Sequence, residues 1–333
     1  MPRNQIIPVF IPHLGCPNDC VFCDQKRITG RDTPVTPDEV VLQIEAGLKK
    51  SGKGAVLAFY GGSFTAIDPA LQEGLLSAAQ PYLKRGDLSA LRVSTRPDAI
   101  DDSVIARLRR FGVETVELGC QSMDDRVLNL SGRGHSREDT LRASRLLKEN
   151  GFHLILQMMT GLPGDSGTES IRTAEEIIAL QPDGVRIYPT VVLKNTALED
   201  MMRSGSYQPQ SVEDAAELCA LLYEKFLAAD IPVIRLGLNP TELLSSGGAV
   251  AGAYHPALGE IVLSRMYLRR AEKLLSGCRP GSYSLMVHKS RVSVMVGQKR
   301  CNMVYFREHY PGIRLRVCPG AAELWQIELK KEE

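Results

Sequence analysis

The sequence predicts an α/β protein, a partial (β/α)6 barrel of the TIM type over residues 1–240 followed by a small α+β domain over residues 241–333. Three observations carry this reading. Short apolar runs alternate with longer amphipathic stretches over the first two-thirds of the chain. The runs are rich in Val, Ile, Leu and aromatics, as strands buried on both faces must be. Six strand–helix units in succession imply a parallel sheet, and six is two short of a closed eight-unit barrel.

The predicted strands, in order, are Ile6–Ile11, Ala55–Tyr60, Leu91–Thr95, Glu114–Leu118, His153–Met158 and Val185–Tyr188. Between them the helical period predicts helices over Pro37–Lys50, Pro69–Leu83, Asp101–Phe111, Arg137–Asn150 and Thr168–Leu180. Asp or Ser near several starts, and Gly52, Gly112 and Gly151 after three ends, agree with capping preferences. A further helix (Val212–Ala229) and a short strand (Val233–Leu236) follow. From about Pro240 the pattern changes. Ser245–Gly248 reads as a linker or turn, then a helix over Glu260–Leu275, two strands paired around a turn (Ser282–His288 and Arg291–Val296), a helix over Lys299–His309 and two last strands.

Composition narrows the class. The 333 residues carry 40 basic and 39 acidic side chains, with 44% hydrophobic and 24% charged residues, which excludes a disordered or collagen-like chain. No apolar run approaches the roughly 20 residues that cross a bilayer, and residues 1–12 lack the apolar core of a signal peptide. The chain is therefore expected to be soluble and cytoplasmic, with no membrane partner. Its balanced charge hides an asymmetry. Residues 240–333 hold 14 Lys and Arg against eight Glu and no Asp, a surplus of +6, while residues 1–239 sum to −5. The basic end suits an acidic partner such as RNA, although a solvated basic surface reads equally well. The phosphate contacts would come from Lys289, Arg291, Lys299, Arg300, Arg307, Arg314 and Arg316, if one face holds them.

Of eight cysteines, three are clustered in Cys16-Pro-Asn-Asp-Cys20-Val-Phe-Cys23, just after the first strand; the others, Cys120, Cys219, Cys278, Cys301 and Cys318, are scattered. A disulfide framework belongs to smaller secreted chains. Structural zinc takes four protein ligands, and no second close pair exists to complete such a site. Three thiolates suit an iron–sulfur cluster with one iron left open. A zinc site borrowing a distant His, or a chance cluster, are the alternatives. The later strands also end in unusual segments, Tyr60-Gly61-Gly62-Ser63-Phe64, Ser94-Thr95-Arg96-Pro97-Asp98, Gly119-Cys120-Gln121-Ser122 and Thr160-Gly161-Leu162-Pro163-Gly164. In a β/α barrel all of these share the rim where active sites are built.

These residues resemble a known family. The C-x3-C-x2-C loop, with an aromatic before its last cysteine, is similar to that of radical S-adenosylmethionine (SAM) enzymes of the Elongator/MiaB/NifB type. Val116–Ser122 with Arg133-Gly134-His135-Ser136, Arg186-Ile187-Tyr188-Pro189-Thr190, Met158–Gly164 and Ser94–Asp98 resemble, in order, the radical-SAM half of the Elongator catalytic subunit over about residues 5–240. Three departures stand out. Elongator subunits usually carry one more residue between their first two cluster cysteines, no acetyltransferase domain is expected here, and Ser94 stands where relatives tend to place an acidic residue.

The resemblance implies a [4Fe-4S] cluster on Cys16, Cys20 and Cys23, with SAM at the open iron and reductive cleavage to a 5′-deoxyadenosyl radical. Reduced ferredoxin or flavodoxin is the implied electron donor, and RNA, as tRNA, the implied substrate. It also assigns the SAM contacts. In Gly61-Gly62-Ser63 the glycines let the backbone approach the methionine amino group. Arg133 forks onto the methionine carboxylate. Gln121 and Ser94 bond the ribose hydroxyls, and Phe10 and Phe22 pack near the adenosine. An ordinary turn at Gly61-Gly62 and a surface ion pair at Arg133 are the plainer readings. His13 reads as a loop cap before a ligand, His135 as orienting Arg133 or the substrate, Tyr188 as a core tyrosine and Cys120 as a small buried hydrophobe. Two other functions remain open, a radical SAM enzyme for a small molecule or tetrapyrrole and a non-catalytic metal- or RNA-binding protein.

Overall fold

The computed structural model describes residues 5–11, 16–23, 34–239 and 244–332, without the side chains of residues 245 and 246. Seven parallel strands form one curled sheet in sequence order, a partial TIM barrel: β1 (Ile6–Ile11), β2 (Ala55–Gly61), β3 (Leu88–Thr95), β4 (Val113–Gln121), β5 (His153–Thr160), β6 (Gly184–Pro189) and β8 (Val233–Leu236). The six-unit barrel expected from sequence gains β8 as a seventh strand. Between β6 and β8 runs β7 (Val191–Leu193), which pairs antiparallel with β9 (Ala249–Gly252) after a single wide helical turn over Leu244–Gly248.

The crossover helices begin where the chain supplies a side-chain acceptor for the first free N–H groups. Thr36 and Glu39 form a reciprocal capping box on Pro37–Ser51, and Ser136 and Asp139 form another on Arg137–Glu149. Asp68 and Asp101 cap Pro69–Lys84 and Asp102–Arg110. Val40, Ile44, Leu75, Leu76, Leu108, Leu147 and Ile177 are buried on the helices, and Leu57, Phe59, Leu91, Val93, Val116, Leu118, Leu154 and Leu156 are buried on the strands. The alternate strand positions, among them Tyr60, Arg92, Glu117 and Arg186, face the concave side.

Two compact units are present. One holds residues 1–210 and 225–254; the other holds residues 211–224 and 255–333. The boundary expected at 240 lies among residues 240–243, outside those described. In the second unit β10 (Gly281–Val287) is flanked by parallel β11 (Ile313–Pro319) and antiparallel β12 (Ile327–Lys331). Its core gathers Tyr267, Ala271, Leu275, Leu285, Val287, Met295 and Phe306. One expectation is corrected here. Arg291–Val296 is not a strand paired with β10; Val292–Val296 is a short helix ended by Gly297 at φ 79°. Its valines suggested β structure, but the partners of β10 come from later in the chain, and Met295 is buried from the helix. The helix expected over Lys299–His309 begins at Cys301, because Lys299 and Arg300 take left-handed backbone angles.

Candidate active site

The cysteine loop docks at the carboxyl end of the barrel strands. Its backbone is held by Val21 N–H on the Ser131 carbonyl (3.1 Å) and by Leu198 N–H on the Val21 carbonyl (2.8 Å). Asn18 Nδ2 donates to the Arg133 carbonyl at 3.4 Å. Gly134, at φ 66°, makes this docking possible, because a Cβ there would overlap the Asn18 amide.

Arg133 is the pivot of the site. It is buried, and its Nη1 lies 3.3 Å from Cys20 Sγ while its Nη2 donates to the Gly119 carbonyl at 2.7 Å. A Cβ at Gly119 would meet the Gln121 amide Nε2 at 2.8 Å, so the glycine leaves room for that side chain beside Arg133. Cys16 sits beside the same charge. Burial and the neighbouring Cys20 push the Cys16 thiol up, while Arg133, Arg96 and the Ser63 backbone N–H draw it down. Arg96 is itself buried and bound to Asp98 through two hydrogen bonds of 3.0 and 2.9 Å.

The sequence-assigned contacts divide. Gly61 turns at φ 108° against β1, where a Cβ would meet the Ile11 carbonyl at 2.8 Å, and Gly62 N–H donates to that carbonyl at 2.6 Å. Ser63 points its hydroxyl inward, to Thr95 Oγ1 at 2.8 Å, and accepts from Arg96 N–H at 3.2 Å. Ser94 faces the concave side in register with Glu117. Gln121, buried and at φ 62°, accepts from Gln157 Nε2 at 3.2 Å. Phe10 is 42% exposed, with its ring centroid 6.4 Å from that of Tyr60. Phe22 packs against an apolar cluster of Val192, Leu198 and Tyr207. His135 Nε2 bonds the Cys120 carbonyl at 3.2 Å, and burial and Arg133 hold its imidazole down at about 4. The buried Cys120 thiol is pushed up to about 12 by desolvation and is closed off by the Gln157 carbonyl at 2.8 Å. His13 lies outside the described residues.

Sequence reasoning missed a polar network in the barrel lumen. Glu117 Oε1 accepts from Arg186 Nη2 (2.8 Å), Arg92 Nη1 (3.0 Å) and the Tyr60 hydroxyl (3.2 Å). Arg186 also reaches the hydroxyls of Tyr60 (3.0 Å) and Tyr188 (3.2 Å) and lies 5.2 Å from the Tyr60 ring centroid. The signal was present, because Arg92, Glu117 and Arg186 are charged residues inside strands that are otherwise apolar.

Two thiols, Cys16 and Cys20, near the buried Arg133 and Arg96 guanidiniums suit an anionic metal–thiolate group, and Arg96 Nη1 and Arg133 Nε are buried without a hydrogen-bond partner. As the loop stands, no three Cys, His, Asp or Glu side chains among the described residues are gathered closely enough to hold a metal ion. No described helix is long and apolar enough to cross a membrane.

Comparison with known proteins agrees with this geometry. Residues 10–177 match the Radical SAM superfamily and residues 182–268 the Radical_SAM C-terminal domain. A tRNA uridine(34) acetyltransferase of Methanocaldococcus jannaschii is 30% identical over 256 residues, which are 64% of this chain and 47% of the relative. Human Elongator complex protein 3 is 31% identical over 183 residues, 53% of this chain and 32% of the relative. The chain thus spans about half or less of these relatives. The solved archaeal Methanocaldococcus infernus Elp3 with an N-terminal deletion superposes with a TM-score of 0.63 at 26% identity, covering 84% of this chain and 65% of that one. The cysteine loop, the glycine turn and Arg133 at one end of a curled parallel sheet, together with these matches, assign the chain to the radical SAM superfamily of enzymes.

Proposed function

We propose that this enzyme holds a [4Fe-4S] cluster through Cys16, Cys20 and Cys23, binds SAM beside it and modifies tRNA. The observation that carries the cofactor reading is Arg133, a buried guanidinium shared between Cys20 Sγ and the Gly119 carbonyl. When bound, cluster and SAM supply a radical able to take a hydrogen atom from substrate, with the electron coming from a reduced ferredoxin or flavodoxin. The chain's own residues do the rest. Arg133 and Arg96 set positive charge against thiolates in a low-dielectric site. Gly61 lets the end of β2 lie against β1, where a Cβ would meet the Ile11 carbonyl, and so sets the backbone of the rim. Ser94 and Gln121 offer polar groups on the strand ends where the ribose hydroxyls would lie.

The tRNA reading rests on the relatives' named activity and on the basic C-terminal end. There Arg314 and Arg316 pair in register with Ser282 and Ser284, and Lys330 stands opposite Ser284 on the other side, so three cations share the outward face of one sheet. The test is anaerobic reconstitution followed by iron and sulfide counts, SAM-dependent change in the cluster's electron paramagnetic resonance, and tRNA binding across a salt series. About four irons per chain, a spectrum altered by SAM, and tRNA affinity falling steeply with salt support the reading. A zinc-loaded chain indifferent to SAM overturns the cofactor part. Salt-independent or absent tRNA binding overturns the substrate part.

A further inference from the structure

The segment that links β6 to β8 supplies none of the residues assigned to the cluster or to SAM, yet its first part meets the cysteine loop. Val21 lies in the turn closed by Cys23 N–H on the Cys20 carbonyl at 3.0 Å. Its own N–H goes to the Ser131 carbonyl, and its carbonyl accepts from Leu198 N–H at 2.8 Å. Leu198 stands in the first turn of the helix Ala197–Arg203, where N–H groups have no partner inside the helix. Thr196 Oγ1 takes the Glu199 N–H at 3.3 Å, and the cysteine loop takes that of Leu198. Leu198 is fully buried, so undocking the loop leaves a buried donor unpaired. Helix start and cysteine loop therefore complete each other.

The side chains repeat this pairing. Val21 and Phe22 pack against Val192, Leu198 and Tyr207, which are all buried. Both ends of the segment are tied down. Val192 on β7 pairs with Ala251 on β9. Tyr207 donates its hydroxyl to the Gly161 carbonyl at 2.6 Å, just past β5, and burial pushes that hydroxyl up, so it stays a donor. We infer that residues 191–207 form a strap that positions the cysteine loop for the cluster, with Leu198 and Tyr207 as its positioning residues. The inference rests on the cluster reading and extends the holding apparatus beyond the three thiols, as outer contacts orient metal ligands elsewhere.

Two measurements on the full chain test it. In the metal-free protein, Gly134→Ala loosens the loop from its other contact, and the Leu198 amide should then exchange hydrogen at least tenfold faster, with the amides of Pro37–Ser51 unchanged. In the reconstituted protein, iron release to excess ferrozine without oxygen should be at least tenfold faster for Leu198→Ala. Leu198→Met should restore the wild-type rate. Tyr207→Phe, which keeps the ring and loses the anchor on Gly161, should fall between. Leu147→Ala empties an equally buried position away from the strap and should release iron at the wild-type rate. Equal release from wild type and Leu198→Ala overturns the inference. So does equal acceleration by Leu147→Ala, because release would then track stability alone, and so does Leu198 exchange indifferent to Gly134→Ala. A wild type that takes up no iron overturns the cluster reading instead, and exchange at Leu198 still decides whether strap and loop are coupled.

Discussion

Arg186 on β6 donates to the Tyr60 hydroxyl on β2 at 3.0 Å, although three strands stand between them in the sheet. In a flat sheet four strand spacings would hold their backbones about 19 Å apart. The bond is therefore a direct record of the curl, and Glu117, which accepts from both residues, is the post around which the concave face closes.

Removing that post should be costly. Glu117→Gln leaves Arg92 and Arg186 buried beside a neutral amide, and a loss of about 3–5 kcal/mol is expected in urea denaturation. Tyr60→Phe removes only a hydroxyl and should cost about 1 kcal/mol. Equal effects from the two variants would show that the carboxylate is not the centre of the network.

His135 gives a pH signature. Its folded imidazole is held at about 4 by burial and Arg133, below the ordinary value of about 6.5. Between those limits the unfolded chain binds the proton and the folded one does not, so stability rises with pH through that window and is lost as pH falls. The contribution is about 3 kcal/mol. His135→Gln should flatten the stability profile between pH 4 and 6.5 by that amount, and an unchanged slope would contradict it.

The docking of the cysteine loop depends on a backbone that only glycine takes easily. Gly134→Ala adds a Cβ at φ 66° into the Asn18 amide. We expect a loss of about 1–3 kcal/mol together with fewer irons retained per chain after reconstitution. Full iron content with unchanged stability would mean that the loop docks by other contacts.

Arg133 should act by shape as well as charge. Arg133→Lys keeps the cation and loses the fork that reaches both Cys20 and Gly119. SAM is expected to bind this variant at least about tenfold more weakly, measured by equilibrium dialysis of the reconstituted protein. Equal affinity would remove Arg133 from the SAM site.

Much of this architecture was legible from period and punctuation. Runs such as Leu57–Phe59 read as doubly buried strands because they are apolar without alternation, and residues such as Thr36 and Ser136 mark the helix starts; β1, apolar in the same way, instead buries Ile7, Val9 and Ile11 and leaves Phe10 exposed. What escaped depended on tertiary packing. Nothing local shows that Arg92, Glu117 and Arg186 converge, since their contact exists only after the sheet curls. Val292–Val296 has strand composition yet becomes helix, because β11 and β12 occupy both edges of β10. Nothing local shows either that Phe22 packs against the cluster of Val192, Leu198 and Tyr207.

This cysteine loop, the Gly61 turn and Arg133 are proposed to make one SAM-cleaving site. Its most direct test is the yield of 5′-deoxyadenosine from SAM when the reconstituted chain is reduced with dithionite in the absence of oxygen. Product is expected from the wild type and none from the Cys20→Ala chain. A reconstituted, fully iron-loaded wild type that forms no 5′-deoxyadenosine would contradict it.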